Sequence, residues 1–289
     1  MVLGGSGLVG RHLMSCLRKR GHEVVGTCWK QEPKELTRLS MSNLKGIDAI
    51  LKRGEFNALV ICSGFTWADG CENKPAKARL YNSILPGKIA GICRRHNTKA
   101  VYLSSSYVFD GKRGPYSETG RPNPLSAYGK SKLDGEKRVR QFGGKNALIV
   151  RTMGVMGCEP RKKNFLYTVI HQLRKKKALS VPYDQRGNIT CATDLALGIC
   201  LLLEKNKKGV FHIAGKRPNA RRSEVAQSIA RHYQLNEKLI RPVATLEFKS
   251  KAPRPCNGGL LTEKARKQLE WQPLNRWPEW NLLSKGKEL

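Results

Sequence analysis

The sequence predicts an α/β fold, a doubly wound parallel sheet with a smaller C-terminal lobe, on three observations. A glycine-rich turn, Gly4-Gly5-Ser6-Gly7-Leu8-Val9-Gly10, stands between an apolar start and an amphipathic stretch. Short apolar segments then alternate with stretches of helical period, the pattern of parallel strands joined by crossover helices. The chain has 289 residues, 39% of them apolar, which is enough to bury the core of one large α/β unit and a second lobe.

The elements follow in order. Met1 to Leu3 form the first strand, and Arg11 to Arg20 a helix that Gly21 ends. Glu23 to Cys28, Ala58 to Ile61 and Ala100 to Ser104 supply the second, third and fourth strands, with helices between them. Ala147 to Arg151 and Val210 to Ile213 read as two further buried strands. Helices are expected around Phe165 to Lys175, over Thr193 to Glu204 and over Ser223 to Tyr233, followed by a proline-rich passage at Pro253 to Pro255 and a polar helix and tail. This is a Rossmann-type arrangement. Residues 1–152 are expected to form the dinucleotide domain and 153–289 mainly the lobe, with 188–214 returning to the sheet. A first strand of three residues is shorter than the usual five or six, which we read as a truncated or reassigned start that costs some stability.

Gly4, Gly7 and Gly10 lie between a predicted strand and a predicted helix, the context in which such a motif binds a dinucleotide. Glycines let the backbone turn sharply against a pyrophosphate, and the free N–H groups at the helix start, including those of Leu8 and Val9, attract its charge. The second strand ends Val25-Gly26-Thr27-Cys28-Trp29-Lys30 without a carboxylate. A carboxylate there would repel a 2′-phosphate, and Lys30 and Arg11 would attract one, so NADPH is the expected cofactor and NADH the alternative.

Ser104 to Lys132 carries the chemistry. Three consecutive serines, Ser104 to Ser106, precede Tyr128, and Lys132 follows it by one helical turn. Residues four apart share a helix face. A tyrosine titrates near pH 10, and a neighbouring ammonium is expected to lower that value and fit Tyr128 for proton transfer.

Charge and cysteines bound the remaining classes. The chain holds 54 Lys plus Arg against 22 Asp plus Glu, a net charge of +32. The basic residues are spread along the sequence without a nucleic-acid-binding signature, which argues against a nucleic-acid partner. Nine cysteines without a CxxC pair suit neither a disulfide framework nor a zinc site, so free thiols in a reducing compartment are expected. No apolar run reaches the roughly 18 residues a membrane span needs, and the chain opens directly on the glycine turn. A cytoplasmic protein is expected. The terminal Gly286-Lys287-Glu288-Leu289 resembles a retention signal only superficially. The six histidines lack metal-ligand spacing, and His212 reads as a hydrogen-bonded core residue.

Together the glycine turn, Ser104 to Gly111 and Pro122 to Glu136 closely resemble the dTDP-4-dehydrorhamnose reductase family, over essentially the whole chain. Asn164-Phe165, Asp194-Leu195-Ala196 and Arg254-Pro255 add to the match. The resemblance implies an extended short-chain reductase acting on the 4-keto group of a nucleotide-linked deoxysugar, as a monomer or homodimer. It makes Tyr128 the proton donor, Lys132 the residue that orients the nicotinamide ribose, and Ser105 the one that polarises the carbonyl. With a strand period of two, Ser104 and Ser106 face away from Ser105. Cys62, Ser63 and Gly64 match the small residues bordering the cofactor. Thr66, Trp67, Asp69, Asn82, Ser105, Met153 and Arg254 fall to the substrate. Met153 stands where the family carries a tryptophan, and Trp67 is the candidate replacement for that stacking wall. The carboxylates that bind magnesium in some members are mostly missing, so no metal is expected. The family also resembles the regulatory β subunit of methionine adenosyltransferase, which makes a non-catalytic partner protein the alternative.

Overall fold

The computed structural model describes residues 1–29 and 35–273. Strand β1 (Val2–Leu3) leads through the glycine turn into helix α1 (Leu8–Lys19), then to β2 (Thr27–Cys28), β3 (Thr37–Arg38), α2 (Leu44–Arg53) and β4 (Ala58–Ile61). Two short helices, α3 (Ala68–Asn73) and α4 (Pro75–Arg79), run through a π-helical turn into α5 (Leu85–Arg95). Next come β5 (Lys99–Ser105), α6 (Ala127–Gly143) and β6 (Leu148–Thr152). The second half contains β7 (Val155–Met156), α7 (Phe165–Arg174), β8 (Leu179–Pro182), β9 (Arg186–Gly187), β10 (Thr190–Cys191) and α8 (Ala192–Glu204). It continues with β11 (Gly209–His212), β12 (Ala220–Arg221), α9 (Arg222–His232), β13 (Ile240–Val243) and α10 (Glu263–Leu269).

The main sheet has five parallel strands in the order β1-β4-β5-β6-β11. On the other side of β1, Val2 N–H donates to Val25 O at 2.8 Å and Gly5 N–H to Thr27 O at 2.7 Å. Strand order therefore reverses at β1, and the crevice at such a reversal is where doubly wound sheets bind ligands. The second strand is a correction: only Thr27–Cys28 of the expected Glu23 to Cys28 is paired as strand, with β3. Its inner neighbour β1 is two residues long and leaves little ladder to extend.

Each central strand divides its side chains between two cores with a period of two. Val60, Val101, Leu103, Leu148 and Val150 pack with α1 and α8, whereas Leu59, Ile61, Tyr102 and Ile149 pack with α2 and α5. Burial on both faces explains why these strands read as continuous apolar runs. A third core, from α7, α9, β8 and β13, holds the lobe together. Among the described residues no helix is long and apolar enough to cross a membrane.

Candidate active site

The glycine turn is sterically committed. Gly4 has φ +87°, a left-handed conformation that favours glycine. A Cβ on Gly4 would lie 2.4 Å from Ser63 Oγ, and one on Gly10 would lie 2.1 Å from the Gly4 carbonyl oxygen. The turn thus folds onto the first turn of α1 and against the end of β4. Gly7 caps α1 without a side-chain hydrogen bond, and no acid occupies the first turn, so the positive helix end is free for a phosphate. Gly64, just past β4, leads to the chemistry, since a Cβ there would lie 2.9 Å from Asn82 Oδ1 and 3.9 Å from Lys132 Nζ. Burial pushes the adjacent Cys62 thiol up to about 12. These close backbone approaches fit a dinucleotide. Lys30 lies outside the described residues.

Helix α6 begins where two side chains pin its first turn. Ser126 Oγ accepts from Gly129 N–H at 3.1 Å, and Glu72 Oε1 accepts from Ala127 N–H at 2.7 Å. Tyr128 is thereby held at the C-terminal end of β5, buried, with its ring edge-on to Tyr107 at 5.4 Å between centroids. The Ser105 hydroxyl is its hydrogen-bonding neighbour. Ser104 points the other way, as the strand period requires, and donates to Glu136 Oε1 at 2.5 Å. Ser106 opens a 3₁₀ turn and is buried.

The electrostatics correct one expectation. Burial raises the Tyr128 phenol above its ordinary value, with Ser105 pulling the other way and Tyr107 and Cys71 adding to the rise. The ammonium of Lys132 is itself buried and engaged. It donates to Leu103 O at 2.6 Å and sits 4.4 Å from the Tyr102 ring centroid. Burial draws Lys132 itself down to about 8, opposed by Glu136. Desolvation is the largest cause at both groups, and it disfavours the charged form of each.

The loop after β4 presents Thr66 and Trp67 to solvent. Asp69 Oδ2 accepts from Arg254 Nη2 at 2.8 Å, and Arg254 Nη1 donates to the Tyr107 hydroxyl at 3.3 Å. Tyr128, Tyr107, Arg254 and Asp69 therefore form one connected wall. Met153 is wedged over Gly187, where a Cβ would meet its Cε at 2.1 Å. Asn82 has a positioning role. It is fully buried, accepts from Phe65 N–H at 2.8 Å, and donates to Phe65 O at 2.8 Å and to Ser131 Oγ at 3.0 Å. Its amide is engaged in tying the β4 loop to α6, so it positions that loop. Sequence reasoning passed over two residues. Tyr107 lies next to the serine run, and Glu136 lies four residues after Lys132, a spacing that placed it on the same face. His212 is buried with Nδ1 3.1 Å from Leu261 O. No group of three His, Cys, Asp or Glu is arranged to hold a metal among the described residues.

A glycine cradle at the strand-order reversal, beside a Ser, Tyr and Lys at the ends of β5 and α6, defines the extended short-chain dehydrogenase/reductase class. Residues 1–280 match the family described as RmlD substrate binding domain, and the chain belongs to it. A probable low-salt glycan biosynthesis reductase, Agl14, of Haloferax volcanii is 31% identical over 222 residues, 74% of each chain. Methionine adenosyltransferase 2 subunit beta of Xenopus laevis is 26% identical over 92% of this chain and 81% of its own length. The crystal structure of a dTDP-4-dehydrorhamnose reductase from Clostridium acetobutylicum superposes with TM-score 0.87 at 28% identity, covering 99% of this chain and 97% of that one. The Bacillus anthracis dTDP-4-dehydrorhamnose reductase, solved in complex with NADP, gives TM-score 0.85 at 26% identity over 99% and 96%.

Proposed function

We propose that the protein is an NADPH-dependent reductase of the 4-keto group of a nucleotide-linked deoxysugar, carried on dTDP, in the synthesis of surface polysaccharide precursors. Residues 1–152 would hold the dinucleotide and 153–289 mainly the sugar nucleotide, with 188–214 in the sheet. The observation that carries this reading is the placement of Tyr128 beside Ser105, with Lys132 one turn away and close to Gly64, just past β4.

NADPH, when bound against Gly4, Gly7 and Gly10, supplies the hydride. The rest falls to the chain. Ser105 donates a hydrogen bond to the substrate carbonyl oxygen and polarises it. Tyr128, kept protonated by burial, delivers its proton to that oxygen as negative charge develops there. A raised phenol suits a proton donor in the reducing direction. Lys132 holds the nicotinamide ribose and places positive charge near the forming phenolate. Trp67 and Met153 border the sugar, and Asp69 fixes Arg254.

The test follows NADPH oxidation with a panel of dTDP-linked 4-keto-6-deoxy sugars, comparing wild type with Tyr128→Phe. Turnover by wild type and a loss of about 100-fold or more in the variant, with NADPH affinity retained, is the expected result. Equal turnover in both would sink the mechanism. The similarity to methionine adenosyltransferase 2 subunit beta over 92% of the chain favours a second reading, a non-catalytic NADP-binding partner subunit. Tight NADPH binding without turnover across the panel would select it.

A further inference from the structure

We propose that Cys16 and Cys200 are a redox-active pair in which Cys16 is oxidised by hydrogen peroxide and Cys200 resolves it, closing a reversible disulfide between α1 and α8. The two sulfurs lie 3.1 Å apart, with the Cys200 thiol donating to Cys16 Sγ. A disulfide needs about 2.05 Å, so closure asks each sulfur to travel only about 0.5 Å. Side-chain torsions supply a movement of that size without a shift of either helix.

The helices are fastened on both sides of the sulfurs. Leu13 and Met14 of α1 and Leu195, Ala196 and Ile199 of α8 belong to one apolar core. One helical turn after the cysteines, Arg20 Nε and Nη2 donate to the two carboxylate oxygens of Glu204 at 2.6 Å each, and His22 Nε2 lies 3.0 Å from Glu204 Oε1. Arg20 follows Cys16 by four residues and Glu204 follows Cys200 by four. The two helices therefore run side by side in the same direction, with the cysteines in register with the ion pair. Core packing before the sulfurs and the ion pair after them fix the spacing at which the thiols meet.

The pair is asymmetric, and the asymmetry assigns the roles. Cys200 is fully buried and Cys16 partly exposed, so a small oxidant meets Cys16 first. The hydrogen bond from Cys200 is the largest influence on the Cys16 thiol and draws it down against burial, with Arg20 and Lys19 adding to the fall and Glu204 opposing it. The same hydrogen bond, together with burial, pushes the Cys200 thiol up. Burial likewise pushes Cys62 and Cys93 up to about 12. Cys16 is thus the member of the pair that reaches the thiolate, the nucleophilic form.

The Cys16 thiolate attacks one peroxide oxygen, the O–O bond breaks and hydroxide leaves, giving a sulfenic acid. Cys200 then attacks the Cys16 sulfur, the S–O bond breaks, and the departing oxygen leaves as water with the Cys200 proton. In sum two thiols and one hydrogen peroxide give a disulfide and two waters, the sulfurs losing the two electrons that the peroxide gains. The link joins residues 184 positions apart, and in the chain-entropy account a cross-link that closes so long a loop restrains the unfolded chain strongly. Oxidation therefore staples the helix that follows the glycine turn to α8.

Peroxide treatment of the full chain, alkylation, digestion and mass spectrometry should find the Cys16 and Cys200 peptides linked, with a melting temperature raised by roughly 5–10 °C and both changes reversed by dithiothreitol. Cys200→Ala, which removes the resolving thiol without burying a hydroxyl, should stop at a Cys16 sulfenic acid that dimedone traps. Cys16→Ser should leave Cys200 reduced and the melting temperature unmoved by peroxide. The wild-type measurement is decisive even where a variant fails to fold. Full alkylation of both residues in wild type, at a peroxide level that oxidises the exposed Cys256, overturns the inference. A dimedone adduct on Cys200 in Cys16→Ser overturns the assignment of roles.

Discussion

Glu136 and Arg151 form a buried two-point ion pair, with Oε1 accepting from Nε at 2.8 Å and Oε2 from Nη2 at 2.7 Å. Glu136 lies four residues after Lys132 on α6, and its charge opposes the desolvation of that lysine. The pair therefore clamps α6 to β6, and through Ser104 to β5, directly behind the candidate catalytic residues.

Glu136→Gln keeps the shape but leaves Arg151 buried without a counter-charge. Breaking such a pair costs about 3–5 kcal/mol. Urea unfolding should show this as a lower midpoint with little change in slope, and NADPH affinity should weaken because Lys132 loses the charge that favours its ammonium. An unchanged midpoint would refute the clamp.

Lys132 sets an alkaline limit. Its value of about 8 in the folded protein means that the ammonium is discharged as pH rises through 8. NADPH affinity should fall there in wild type and stay flat in Lys132→Met. The stability of the cofactor-free protein should move the opposite way. Between about 8 and the ordinary lysine value near 10.4 the unfolded chain binds the extra proton, so folding becomes more favourable as pH rises. Melting curves from pH 7.5 to 10, wild type against Lys132→Met, separate this contribution from other titrations.

Gly10→Ala tests the cradle. Its Cβ would lie 2.1 Å from the Gly4 carbonyl oxygen, and that backbone must move to admit it. Overpacking of this kind costs about 1–3 kcal/mol. Fluorescence titration should show NADPH binding weakened about 10-fold or more, which about 1.4 kcal/mol of that range already gives, while Gly21→Ala, distant from the turn, binds normally.

His212 sets an acid limit. Burial first, then the charge of Arg151, hold it down to about 3, against its hydrogen bond to Leu261. As pH falls below the ordinary histidine value near 6.5, the unfolded chain gains a proton that the folded protein refuses. Stability is therefore lost progressively between about pH 6.5 and 3. His212→Asn, whose amide can still donate to Leu261 O, should shrink that slope in melts recorded from pH 7 to 4.

The parts legible in the sequence were those with a local cause. Ala58–Ile61, Lys99–Ser105 and Leu148–Thr152 read as strands because burial on both faces demands continuous apolar runs. The glycine spacing follows from the approach of one backbone to another within ten residues, and the Tyr128 to Lys132 spacing from a single helical turn. The two-residue strands of the lobe had no such pattern, because each exists only through its pairing, as Ala220 does with Gly187. Asn82 was read as a substrate contact on the family resemblance. Its burial against Phe65 and Ser131 is a long-range fact.

The sequence by itself determined the sheet class, the dinucleotide turn and which serine, tyrosine and lysine come together. All of these depend on dihedral preference and on periods of 2 and 3.6 residues, which are written along the chain. Only the tertiary structure decided the direction of the Tyr128 and Lys132 shifts and the Glu136 to Arg151 clamp. Desolvation and ion pairing depend on what the rest of the molecule packs around a group, and residues far apart in sequence supply that surrounding.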